Sequence, residues 1–159
     1  MKSRSIDRLA VFTLAAVVVI LDQGSKVWMS SLLSGGQTRT AVPGLLDLQL
    51  VRNTGAAFSL FRDSTLPLAV LSLSVSVAVI IWLWRQRRLA AWQALAVAFL
   101  LGGTIGNGLD RWRLGYVIDF LALVPIRFPV FNIADIAINL AVGCFLLDLF
   151  MQRETARRD

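Results

Sequence analysis

The chain has 159 residues, 57% of them hydrophobic, with a mean hydropathy of +0.69, more apolar than the roughly 45–50% of a soluble domain. It contains no histidine and one cysteine, which excludes Ser-His and Cys-His nucleophilic sites, His-ligated zinc and an internal disulfide. The net charge of +6 reflects membrane topology, so nucleic acid is not expected as a partner. Nine of the 16 basic residues (Lys2, Arg4, Arg8, Arg85, Arg87, Arg88, Arg153, Arg157, Arg158) fall in three short segments on one side. The positive-inside rule puts both termini and the 85–89 turn in the cytoplasm.

Four apolar blocks, about 9–28, 66–84, 90–109 and 133–151, each approach the roughly 20 residues needed to cross a hydrocarbon core. They predict a mainly α membrane protein, a single integral domain over 1–159 with four transmembrane helices. The first block has a basic start and an apolar core, as a signal peptide does. It runs into Asp22-Gln23-Gly24-Ser25-Lys26 without a small-residue cleavage site, so it is retained as a span. Cys144, alone among apolar neighbours, is expected to pack in the fourth helix.

Two longer segments lie on the far side. In the first, Pro43-Gly44 is a turn signal, Leu46–Leu50 alternates apolar and polar residues as a half-buried strand does, and Thr38–Val42 is β-compatible. A small β segment over about 36–60, resting on the outer membrane surface, follows. The second segment, 111–131, is broken by Pro125 and Pro129. Its Phe120–Val124 stretch is too apolar for a free loop and is expected at the membrane interface.

Polar residues collect on the same side. Asp22 and Lys26, four apart, share a helix face; they form either a self-neutralising pair with Lys26 snorkelling outward or a hydrogen-bonding platform for a substrate backbone. Asn53 and Gly55 are ordinary turn residues, or they admit and hold a second backbone, covered by Phe58. Gly102, Gly103 and Gly106 thin one helix face for close packing. Asn107, Asp110 and Arg111 follow at the outer end, where the last two either pair or tie down a loop. Asp119 is flanked by Val117, Ile118 and Phe120, so desolvation is expected to raise its pKa. Asp135 opens the fourth span, where a helix dipole favours an acid; together with Asp119 it is also a candidate acid/base pair. Two carboxylates around one water share a proton and titrate as a unit. A carboxylate-only metal site lacks the usual acidic density.

The motifs Asp22-Gln23-x-Ser25-Lys26, Asn53-x-Gly55-Ala56-Ala57-Phe58-Ser59, Gly106-Asn107-x-x-Asp110-Arg111, Val117-x-Asp119-Phe120 and Phe131-Asn132-x-Ala134-Asp135 occur in that order. With four spans, they resemble the bacterial lipoprotein signal peptidase family, signal peptidase II, over nearly the whole chain. The resemblance implies an aspartic endopeptidase of the inner membrane. Its substrates are diacylglyceryl-modified prolipoproteins, cut just before the lipidated cysteine. It implies Asp119 and Asp135 as the catalytic dyad, and so chooses Asp119 over Asp110. It further implies Asp22, Lys26, Asn53, Gly55, Asn107, Asp110, Arg111 and Asn132 as supporting positions or contacts to substrate and the inhibitor globomycin. Asn139 ranks lower, beside Asp110. The outer β segment corresponds to the family's cradle. No cofactor and no metal are required, membrane lipid and lipidated precursor are the partners, and a monomer suffices. The rival from another class is a small proton- or cation-translocating membrane protein using the same acids.

Overall fold

The computed structural model describes residues 5–55 and 65–156. Its helices are α1 (Arg8–Leu32), α2 (Thr65–Arg85), α3 (Ala91–Leu114) and α4 (Ile133–Ala156). The strands are β1 (Ser5–Asp7), β2 (Arg39–Val42), β3 (Leu46–Asn53), β4 (Arg88–Ala90) and β5 (Val117–Leu123). All four helices are long and apolar enough to cross a membrane, and they cover the four expected spans but for Ala90, which ends β4. Lys2, Arg4, Arg157 and Arg158 of the charge pattern lie outside the described residues, as does the 56–59 stretch with its expected Phe58 cover.

The helices outrun the expected boundaries where polar residues find partners. α1 starts on Asp7, whose carboxylate accepts the Leu9 N–H as an N-cap does. It continues through Asp22 and Lys26 to Leu32 because both charges are paired inside the protein. α3 was expected to end near residue 109 but reaches Leu114, so Asp110 and Arg111 stand on its last turns, not beyond it. It stops at Gly115, whose φ of 79° is left-handed and whose N–H bonds to the Arg111 carbonyl, a C-terminal arrangement that glycine favours.

α3 is the central helix, packed against α1, α2 and α4. Its glycines allow this. A Cβ on Gly102 would lie 2.6 Å from the Val18 Cβ on α1, and one on Gly103 would lie 2.6 Å from the Ala134 carbonyl oxygen on α4. The second obstacle is backbone and cannot rotate away. Gly103→Ala is therefore expected to cost about 1–3 kcal/mol, the usual range for overpacking, read as a lower thermal midpoint in detergent. Large apolar side chains such as Ile20, Leu71, Phe145 and Phe150 point outward, which suits lipid as the surrounding solvent.

The Pro43-Gly44 turn forms as expected: the Leu45 N–H bonds to the Val42 carbonyl at 3.0 Å, and Gly44 has φ 71°, the value a type II turn requires there. β2 and β3 pair as an antiparallel hairpin. As expected, the Phe120–Val124 stretch is not a free loop, but it carries a strand that the sequence did not reveal. Most of that stretch belongs to β5, the third strand of an antiparallel sheet ordered β2-β3-β5. Its apolar side chains cover Met29 of α1 and Leu33 just after that helix. The 85–89 turn also carries unexpected structure, since β4 pairs with β1. There Arg8 donates to the Trp84 carbonyl at 2.8 Å and lies 5.0 Å from the centre of its ring.

Candidate active site

At the other end of the bundle, β5 and the start of α4 bring Asp119 and Asp135 to one cavity of about 1010 Å³. Asn53, Gly55, Asn107 and Arg111 line its polar part, and Phe128 and Ile136 belong to its apolar wall. The sheet register explains the placement of Asp119. Val51 of β3 faces Asp119 and Asn53 faces Val117, so Asn53 and Asp119 are diagonal neighbours on one face of the pair.

Three asparagines hold the two carboxylates. Asp119 accepts the Asn53 Nδ2 at 2.9 Å on one oxygen and the Asn132 Nδ2 at 2.6 Å on the other. Asp135 accepts the Asn107 Nδ2 at 2.8 Å on one oxygen and the Asn132 backbone N–H at 3.1 Å on the other. In return the Asn132 Oδ1 accepts the Asp135 N–H at 2.9 Å. Asn132 precedes α4 and Asp135 is its third residue, so the two form a reciprocal capping box. Asp135 is thus placed by its helix start. It sits in the first turn of a helix and on the wall shared with Asp119.

Asp119 is 2% exposed, and burial pushes its carboxyl up to about 6. The charge of Asp135 raises it too, while the N–H groups of Asn53 and Asn132 and the charge of Lys26 pull it down. The expected direction and its leading cause, desolvation, are both present.

Behind the cavity lies a second layer. The Lys26 ammonium, 1% exposed, reaches Asp22 at 2.8 Å, Asp110 at 3.0 Å and the Asn107 Oδ1 at 3.0 Å. Its three N–H bonds match three oxygens, so Lys26 does not snorkel and has none left for a substrate backbone. Asp22 also accepts the Ala134 N–H of α4 at 3.0 Å, and Asp110 accepts the Ile118 N–H of β5 at 3.1 Å. Asp110 thus does tie down a neighbouring segment, but its ion pair is with Lys26 and not with Arg111. Neither Asp22, Lys26, Asp110 nor Asn132 lines the cavity itself.

Arg111 is held more loosely. Its Nη1 and Nη2 reach the Asn107 and Gly55 carbonyls at 3.5 and 3.4 Å, and its Nε is buried without a partner among the described residues. Gly55 contributes backbone only, its N–H going to the Asn53 Oδ1 at 3.0 Å.

The structure brings every residue of the expected constellation into this layered cluster. It adds Gln23, whose Nε2 bridges Asp22, Asp110 and the Gly106 carbonyl. Gln23 stood within a motif without a role; its position three residues before Lys26, on nearly the same helix face, was the available signal. Asn139 lines the cavity and bonds back to the Asp135 carbonyl at 2.8 Å.

The family model described as signal peptidase (SPase) II matches residues 14–151. The lipoprotein signal peptidase of Parasynechococcus marenigrum (strain WH8102) is 55% identical over 150 residues, 94% of each chain. That of Synechococcus sp. (strain RCC307) is 53% identical over 147 residues, 92% of this chain and 97% of its own. A solved bacterial membrane enzyme superposes with a TM-score of 0.86 at 23% identity, covering 100% of this chain and 97% of that one, a likeness of fold. The chain belongs to the signal peptidase II family.

Proposed function

We propose that this protein is an intramembrane aspartic endopeptidase that removes the signal peptide from diacylglyceryl-modified prolipoproteins, cutting just before the lipidated cysteine. Asp119 and Asp135 are its catalytic dyad. The observation that carries this reading is that both carboxylates line one cavity and both bond to Asn132. One carboxylate takes a proton from water as the water oxygen attacks the scissile carbonyl carbon. The other, protonated, donates to the carbonyl oxygen, giving a gem-diol. The amide nitrogen is then protonated, the C–N bond breaks, and the pair returns to its singly protonated form. This chemistry needs no cofactor.

The protein is a single integral domain in the cytoplasmic membrane, acting as a monomer with lipid around it. Both termini face the cytoplasm and the cavity faces outward. In support, Arg8 starts α1, Arg85 ends α2, Arg88 precedes α3 and Arg153 lies in the last turn of α4, one basic end opposite the cavity. The apolar wall beside the carboxylates suits a lipidated substrate entering from the bilayer. Translocation of protons or cations is not supported, since the family is a peptidase and the acids cluster at one end.

Cleavage of a lipidated precursor by the purified enzyme, beside an unlipidated control and the two Asp→Asn variants, tests the reading. Turnover of the unlipidated control at the same kcat/KM would remove the lipid requirement. The proton inventory gives a second test. The carboxyl of Asp119 keeps its proton below about pH 6 and loses it above. If that proton is the one the dyad shares, kcat/KM for the free enzyme falls about tenfold per pH unit on the alkaline side of that limb. Asn53→Ala removes an N–H that favours the charged form, so it moves the limb to higher pH.

A further inference from the structure

Three amides face the dyad, and an amide can turn either its oxygen or its NH2 toward a carboxylate. Only the NH2 stabilises one. The choice is forced from behind by groups that can only donate. The Asn53 Oδ1 is taken by the Gly55 N–H and the Asn132 Oδ1 by the Asp135 N–H, both local backbone contacts. Asn107 has no such backbone donor among the described residues. Its Oδ1 accepts from the Lys26 ammonium at 3.0 Å and from the Asn132 Nδ2 at 3.0 Å. An ammonium has no acceptor lone pair, so with Lys26 in place the Asn107 NH2 must face Asp135.

We propose that Lys26 is a positioning residue for the reaction: it acts through Asn107 to keep an N–H aimed at Asp135, and Asp22 and Asp110 serve to hold its charge in place. This rests on the dyad reading above and extends it across the second layer. It also accounts for a lysine buried between α1 and α3. Pairing with Asp22 alone would neutralise the charge within α1. The additional contacts to Asp110 and Asn107 on α3 are what reach the site. Without the ammonium, the Asn132 Nδ2 is the remaining donor to the Asn107 Oδ1 among the described residues, so the amide is held less firmly and its turned-over form becomes more populated. Its oxygen then meets the Asp135 carboxylate, and its NH2 meets that of Asn132, disturbing the donor to Asp119 as well.

Lys26→Met alone leaves two buried carboxylates without their cation, so the informative comparison is Lys26→Met/Asp110→Asn against Asp110→Asn. The double variant lowers the carboxylate charge together with the cation. Because Asp22 loses its cation in the double variant, a lower thermal midpoint in detergent is expected for it. At a temperature where both variants are folded, the expected result is a kcat for the double variant about 10- to 100-fold lower and a KM within about twofold. Equal kcat values, or a loss confined to KM, would overturn the proposal. A second measurement does not depend on the double variant folding. In the unsubstituted enzyme, the side-chain amide signal of isotope-labelled Asn107 is expected to carry a proton shifted downfield by the charged acceptor, and Asp135→Asn is expected to remove that shift. An Asn107 NH2 signal indifferent to Asp135→Asn would show that the amide faces the other way, and the proposal would fall. The underlying reading fails separately: full turnover by Asp119→Asn and Asp135→Asn rejects the dyad, whereas loss of turnover there with equal kcat in the Lys26 comparison rejects only the role of Lys26.

Discussion

Asp119→Asn and Asp135→Asn are each expected to lower kcat for the lipidated precursor by roughly 10⁴-fold or more, the scale of losing a member of a catalytic set that works as a unit. The substitution keeps shape and removes the proton chemistry. An amide neither accepts the water proton nor carries an acidic proton to the carbonyl oxygen. Folding is expected to survive, because each aspartate sits among groups an amide oxygen can still satisfy in part. Asn at 119 can accept from Asn53 or from Asn132, at a cost of about 1–3 kcal/mol for the N–H left facing an NH2. The measurement is single-turnover cleavage together with thermal unfolding and binding of a globomycin-type peptide. Loss of cleavage with binding retained assigns the dyad. A variant that cleaves normally would sink it.

Asn132→Ala is expected to combine two losses that other substitutions separate. Its Oδ1 caps α4 through the Asp135 N–H, and loss of such a cap costs about 1 kcal/mol. Its Nδ2 reaches Asp119 at 2.6 Å and the Asn107 Oδ1 at 3.0 Å, so Asp119 loses a donor and its side-chain connection through Asn107 to Asp135, while the backbone N–H to Asp135 remains. Misplacement of either by about 1 Å is enough for a loss near 100-fold. The expected result is kcat reduced about 100-fold with a thermal midpoint lower by a few degrees, since about 1 kcal/mol corresponds to roughly 2–4 °C at this size. Asn132→Asp probes the cap separately. It keeps an acceptor for the Asp135 N–H and thus most of the stability, but it sets a third carboxylate against the other two and is expected to lose activity. Equal activity of the alanine variant and the native enzyme would mean that Asn132 only starts the helix.

The outer sheet shows how far sequence alone carries. The alternation at Leu46–Leu50 and the Pro43-Gly44 turn made β2 and β3 legible, because period two and a left-handed glycine are local properties. β5 was not legible as a strand. Val117, Ile118, Phe120 and Leu121 are apolar on both faces, since one face meets α1 and the other lines the site beside Asp119. Continuous apolarity is ambiguous between a buried strand and a segment lying on a membrane. The end of α3 is not legible in the sequence for a related reason. Asn107 and Asp110 read as the polar edge of a span, yet each is buried and bonded across to α1, which lets the helix continue to Leu114.

By itself the sequence determined four spans and the scarcity of any chemistry but that of carboxylates, and its charge bias gave an expectation for which side the polar residues face. Span length, charge bias and composition are properties of contiguous residues, and no partner is needed to read them. Its ordered motifs also pointed to the family. Only the tertiary structure decided what each polar residue faces: Asp110 toward Lys26, Asp119 toward the cavity, and the lysine inward toward Asn107. Those outcomes depend on bonds between residues 28, 66, 81 and 112 positions apart. Where a buried charge finds its counterpart is fixed by which helices and strands meet, and local sequence holds no measure of that.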